Sequence, residues 1–89
     1  MGQHKATRRI VNRLSRIEGH IRGAKAMVER DRSCADVLVQ LAAIRAAVEG
    51  VAKLVLSDHF ESCLATGTRR GGRSKALSEL RDALDRFLS

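Results

Sequence analysis

Three side chains in this 89-residue chain have the types that bind soft metal ions: His59 and the two cysteines, Cys34 and Cys63. His59 and Cys63 lie in the stretch "DHFESC", four residues apart. On a helix that spacing points both side chains from one face, close enough to share an ion. A histidine and a cysteine so spaced are common by chance, and the pair alone is a weak signal. Cys34 lies 25 residues before His59. If one helix joins them, a rise of 1.5 Å per residue separates them by about 38 Å. The three cannot then meet within one chain. Antiparallel pairing of two copies of that helix solves the problem, placing Cys34 of one copy beside His59 and Cys63 of the other, with two such sites per two-fold dimer. Two thiolates and an imidazole suit three-coordinate Cu(I), whereas Zn(II) normally takes a fourth ligand. Cys34 also has a competing role as a reactive thiol, because the first turn of a helix attracts negative groups.

The elements that must position these residues can be read from periodicity. Ile10, Leu14, Ile17, Ile21, Ala24 and Val28 recur in steps of four and three, one face of a helix over about residues 5–30. "ERDRSCADVL" breaks the pattern, and Ser33 with Asp36 three residues later fits a cap that starts a new helix at Cys34. That second helix is expected over about residues 34–64, with Val37, Leu41, Ile44, Val48, Val51 and Val55 in one apolar line and Leu38, Ala42, Ala52 and Leu56 widening it. A helix apolar over so much of its circumference needs more than one neighbour, which is an independent reason to expect self-association. "TGTRRGGRS" reads as a loop over 66–73, with Gly67 as a helix terminator. A third helix follows at about 74–88, with Leu77, Leu80, Leu84 and Leu88 on one face. The expected class is all-α: one domain over residues 1–89, with three helices in the order medium-long, long, short. The absence of proline agrees, since nothing interrupts the long runs.

Charge points to a partner. The chain carries 17 Lys and Arg against 10 Asp and Glu, a net charge of +7, and the excess is uneven. Residues 1–30 hold eight basic and two acidic side chains, whereas residues 31–63 hold three basic and five acidic. Arg9, Arg13 and Arg16 form a stripe beside the apolar face of helix 1, extended by Lys5 and Arg8, with Arg45 and Lys53 on helix 2. A basic stripe of this kind fits a polyanion, with nucleic acid ahead of an acidic membrane surface. The chain has no Tyr or Trp and only two Phe, too few aromatic platforms for single-strand stacking. Double-stranded DNA, held mainly through phosphates and duplex shape, is the better fit, although no helix-turn-helix pattern is visible.

Other classes find no support. No nucleophile–base–acid set or phosphate-cradling loop is present, and "GTRRGG" lacks the Walker pattern, so no enzyme is expected. Asp58 and Glu61 flank His59, and acidic residues on a helix surface usually face solvent. No apolar run approaches the roughly 20 residues that span a bilayer, and the N-terminus lacks the apolar core of a secretory signal. A cytoplasmic, non-membrane protein is expected. His4 has three readings: with Met1 removed, a third-position histidine that joins the free amine in a square-planar Cu(II) or Ni(II) site; a fourth metal ligand that shifts preference toward Ni(II); or a plain terminal histidine. His20 is read as structural or DNA-facing.

The segments "NRLSRIEGHIRG" (Asn12 to Gly23), "SCADVLVQLAAIRAA" (Ser33 to Ala47) and "SDHFESC" (Ser57 to Cys63) resemble the CsoR/RcnR family of small helical bacterial repressors. The resemblance covers nearly the whole chain. In the copper-sensing branch a Cys, a His and a Cys are spaced 25 and then 4 apart, which Cys34, His59 and Cys63 match. Formaldehyde sensors lack the second Cys, persulfide sensors lack the His, and nickel and cobalt sensors add an N-terminal histidine. The resemblance implies an antiparallel helical homodimer assembling into a disc-like dimer of dimers, a homotetramer that binds operator DNA without metal and is released by it. It implies a DNA contact for Arg13. It also implies a Tyr and a Glu that hydrogen-bond to the ligating histidine. Glu79 matches that glutamate, but Ser33 stands where the tyrosine is expected. The alternatives carried forward are a Ni(II)-responsive repressor and a thiol-based sensor of formaldehyde, sulfur species or other electrophiles and oxidants.

Overall fold

The computed structural model describes the backbone of residues 6–66 and 70–89, and the side chains of residues 6–59 and 75–89. Three helices account for nearly all of it: α1 (Thr7–Glu29), α2 (Cys34–Thr66) and α3 (Arg70–Leu88). There is no strand among the described residues, and the chain is all-α. Two compact units divide it, residues 1–58 and residues 59–89.

In the first unit α1 and α2 form an antiparallel hairpin. The turn between them follows from local hydrogen bonding. Asp31 takes a left-handed conformation (φ 59°), which a short polar side chain tolerates. This lets the Arg32 N–H donate to the Met27 carbonyl and the Asp31 N–H to that of Val28, each at 3.0 Å. Those two bonds satisfy the Met27 and Val28 carbonyls in the last turn of α1 and reverse the chain. Ser33 then caps α2: its Oγ accepts the Asp36 N–H at 3.1 Å, and its carbonyl accepts the Val37 N–H. The cap expected from the sequence is thus present.

Packing splits each apolar face in two. On α1, Ile17 and Ala24 are buried with Ile10 packed against them, while the alternate members Leu14, Ile21 and Val28 stay exposed. On α2, Ile44 and Val51 are buried, while Leu41, Val48 and Val55 stay exposed. The buried positions recur every seven residues, and so do the exposed ones. One line of each helix closes the hairpin, and the neighbouring lines, 37% exposed at Val48 and 62% at Val28, form an uncovered apolar flank. No described side chain is completely buried.

In the second unit, α3 begins at Arg70, so the loop expected over 66–73 is shorter than that range. Glycine costs a helix only about 1 kcal/mol relative to alanine, so Gly71 and Gly72 are tolerated in its first turn. Residues 67–69, including Gly67, lie outside the described residues. Leu77 and Leu84 of α3 are each more than one-third exposed, and Leu88 more so.

Removing the α2 cap with Ser33→Ala is expected to lower stability by about 1 kcal/mol. Ser33→Asp, which keeps an acceptor, should stay near the wild-type value in chemical denaturation.

Candidate functional site

The metal-ligand candidates are distributed along α2. Cys34 is its first residue, exposed and in no disulfide. The turn that presents it is held by the Ser33 cap and by an exposed Arg32–Asp36 ion pair at 3.4 Å. The Ser33 oxygen therefore accepts a backbone N–H within its own turn. His59 is half-buried near the other end of α2. Cys63 follows one turn later on the same helix, and its side chain lies outside the described residues. From Cys34 to Asp58, the residue before His59, α2 runs unbroken for 24 steps, about 36 Å. Among the described residues no three His, Cys, Asp or Glu side chains are grouped to hold an ion. Glu79 is exposed on α3, and His4 lies outside the described residues.

Asp58 departs from expectation. It is only 7% exposed, the one buried charged side chain among the described residues, and its Oδ1 accepts the Ala6 N–H at 3.4 Å. Position 58 continues the seven-residue line of Ile44 and Val51, so it faces α1 rather than solvent. That line was legible in the sequence, but an acidic residue on it did not suggest burial.

On the hairpin, Arg13, Arg16 and His20 of α1 line an open cavity of about 210 Å³, with Ile17 of α1 and Ala46, Ala47 and Gly50 of α2. Two guanidinium groups and an imidazole thus stand around a floor of small side chains. By helical rotation of 100° per residue this flank lies opposite Leu14, Ile21, Leu41 and Val48. Of the other candidate cations, Arg8, Arg9, Arg45 and Lys53 are exposed and do not line the cavity; Lys5 lies outside the described residues. Sequence reasoning placed Arg13 and Arg16 together but not His20 with them. The signal was its position four residues after Arg16.

A basic flank, an apolar flank and residues of soft-ligand type at the two ends of one helix suit a helical regulator that reads metal and binds a polyanion. The model of the metal-sensitive transcriptional repressor family matches residues 6–86, and the chain belongs to that family. It is 45% identical over 87 residues to the copper-sensing transcriptional repressor CsoR of Bacillus subtilis (strain 168), covering 94% of this chain and 86% of the relative. The Cu(I)-bound copper-sensing repressor CsoR from Geobacillus thermodenitrificans NG80-2 is similar in structure, with a TM-score of 0.86 and 39% identity, covering 100% of this chain and 94% of that one. The nickel-responsive transcriptional regulator InrS has a TM-score of 0.76 and 47% identity, covering 98% of each chain. The family is one of transcriptional regulators rather than enzymes. No helix among the described residues is long and apolar enough to cross a membrane.

The cavity yields a prediction for DNA binding. Arg13→Ala and Arg16→Ala should each weaken duplex binding and lower the slope of log affinity against log salt by about 1. A Cβ at Gly50 would meet Arg13 Nη1 at 3.7 Å, an ordinary contact. Gly50→Ala should therefore bind like the wild type, whereas Gly50→Leu fills the floor and weakens binding, both read by fluorescence anisotropy.

Proposed function

We propose that this protein is a Cu(I)-responsive transcriptional repressor that binds double-stranded operator DNA in its metal-free state and leaves it when metal binds. Metal sensing and DNA binding reside in one helical domain of a cytoplasmic protein. The observation that carries this reading is the division of Cys34 and His59 along one unbroken helix, next to an apolar flank that the single chain leaves uncovered. Antiparallel pairing of two copies covers that flank and brings Cys34 of one to His59 and Cys63 of the other. A dimer of such dimers, a disc-like homotetramer, follows the assembly that the family resemblance implies.

The donor set fits the metal. Cys34 is exposed at a capped helix start, and His59 and Cys63 share a helix face one turn apart. Cu(I) would be held by two thiolates and an imidazole, a soft three-coordinate set. With Ser33 in place of the expected tyrosine, Glu79 is left as the outer partner of His59, tuning its orientation. On the DNA side, Arg13 and Arg16 bind phosphate from the basic flank and Arg8 and Arg9 from the first turn of α1, with Lys5, Arg45 and Lys53 adding longer-range attraction.

A second reading is favoured by two observations: the 47% identity to the nickel-responsive InrS, and His4 near the N-terminus. In that reading His4 supplies a fourth ligand and Ni(II) is the inducer; Zn(II) would use the same four. A thiol sensor of formaldehyde or sulfur species, acting through Cys34, is the third outcome of the same test.

Operator release titrated anaerobically with Cu(I), Ni(II), Zn(II) and formaldehyde separates these readings. Cu(I) is expected to release the operator at the lowest free concentration. Release by Ni(II) or formaldehyde but not by Cu(I) overturns the first choice. Cys63→Ala should lose high-affinity Cu(I) binding while keeping any electrophile response of Cys34.

The apolar flank gives an independent check. Val48→Glu places a charge in the proposed subunit interface and should shift the protein toward monomer in analytical ultracentrifugation.

A further inference from the structure

The start of α1 presents an electrostatic problem. Its cap residue, Ala6, offers no side-chain acceptor, its first turn holds no acidic residue, and Arg8 and Arg9 lie in that turn. The first N–H groups of a helix need acceptors, and the positive end of the helix dipole disfavours cations. The buried carboxylate of Asp58 answers this from across the hairpin, accepting the Ala6 N–H. The Ala6 carbonyl in turn accepts the Ile10 N–H at 2.9 Å, closing the first turn. Asp58 is therefore a cap for α1 supplied by α2. It is also the residue immediately before His59.

We propose that Asp58 is a positioning residue that couples the metal ligand His59 to the arginine-bearing start of α1. The inference rests on the proposed metal role of His59. In the metal-free protein the Asp58 cap keeps the first turn of α1 helical, so that Arg8 and Arg9 are held in order for phosphate contact. Adjacent residues on a helix turn together. A reorientation of α2 at His59 on metal binding therefore also moves the Asp58 carboxylate from the Ala6 N–H. The first turn, with two guanidinium groups set against the dipole, then frays. The bistable element is that single turn, capped or uncapped, and both ligands bias it. By linkage, operator DNA bound to the capped state must weaken metal binding by the factor through which metal weakens DNA binding.

The experiment uses the full chain as wild type, Asp58→Ala and Asp58→Asn. Operator affinity is measured by anisotropy with and without Cu(I), and amide hydrogen exchange is followed along α1 and α2. Asp58→Ala should weaken metal-free operator binding about fivefold, the effect of one typical lost cap. It should speed exchange at the start of α1 while leaving the amides near Ile17 and Ile44 protected. It should also shrink the ratio of metal-free to Cu(I)-bound affinity. Asp58→Asn keeps an acceptor oxygen and should recover most of both effects, which loss of general stability would not predict. The proposal is overturned if Asp58→Ala keeps the wild-type ratio, or if exchange speeds up evenly along the hairpin. Wild-type protein that Cu(I) fails to release defeats the functional reading and the coupling together, and this result is distinct because no variant is involved.

Discussion

A single seven-residue line on each of two helices is consumed in closing the α1–α2 hairpin, Ile10, Ile17 and Ala24 on α1 and Ile44 and Val51 on α2. The other features of this unit depend on how narrow that seam is. Each helix has an apolar face about twice as wide as the seam, so Leu14, Ile21, Val28, Leu41, Val48 and Val55 remain against water. Exposed apolar residues scattered singly need no explanation, but a continuous double line along two helices does. The seam also separates the two flanks. The exposed apolar lines lie on one side of the hairpin and the arginine-lined cavity on the other, so the proposed assembly leaves uncovered the surface proposed to meet DNA.

The length of α2 imposes the second constraint. A helix is stiff, and its residues are separated in proportion to their number. A thiol at its first residue and an imidazole 25 residues later cannot share an ion unless another copy supplies one of them. The proposed metal site therefore requires assembly, and occupancy is naturally linked to how two copies are held together. Asp58 lies at the end of the seam, buried against α1. It occupies the next seven-residue position after Val51, and so serves the packing of α1 while standing beside His59.

Much of the fold was legible because helix signals are local. The alternation of three- and four-residue steps in α1, the absence of proline, and the Ser33 cap all act within one or two turns. The end of the loop before α3 was less legible, because glycine discourages helix without forbidding it, and Gly71 and Gly72 are helical. At the site, the spacing of Cys34, His59 and Cys63 was readable as a pattern. The burial of Asp58 was not, because residue type argued for solvent and only its partner, a backbone N–H 52 residues away, argued against it.

By itself the sequence determined three helices, a basic first third, and a cysteine and a histidine of soft-ligand type 25 residues apart on one helix. Each of these follows from periodicity, composition or rise per residue, quantities defined along a single element. Only the tertiary structure decided which half of each apolar face is used. It also decided that His20 joins Arg13 and Arg16 over Ala46, Ala47 and Gly50, and that Asp58 caps a helix it does not belong to. These outcomes depend on the register of α1 against α2. That register is set by side-chain packing across the seam, and helical periodicity leaves it open.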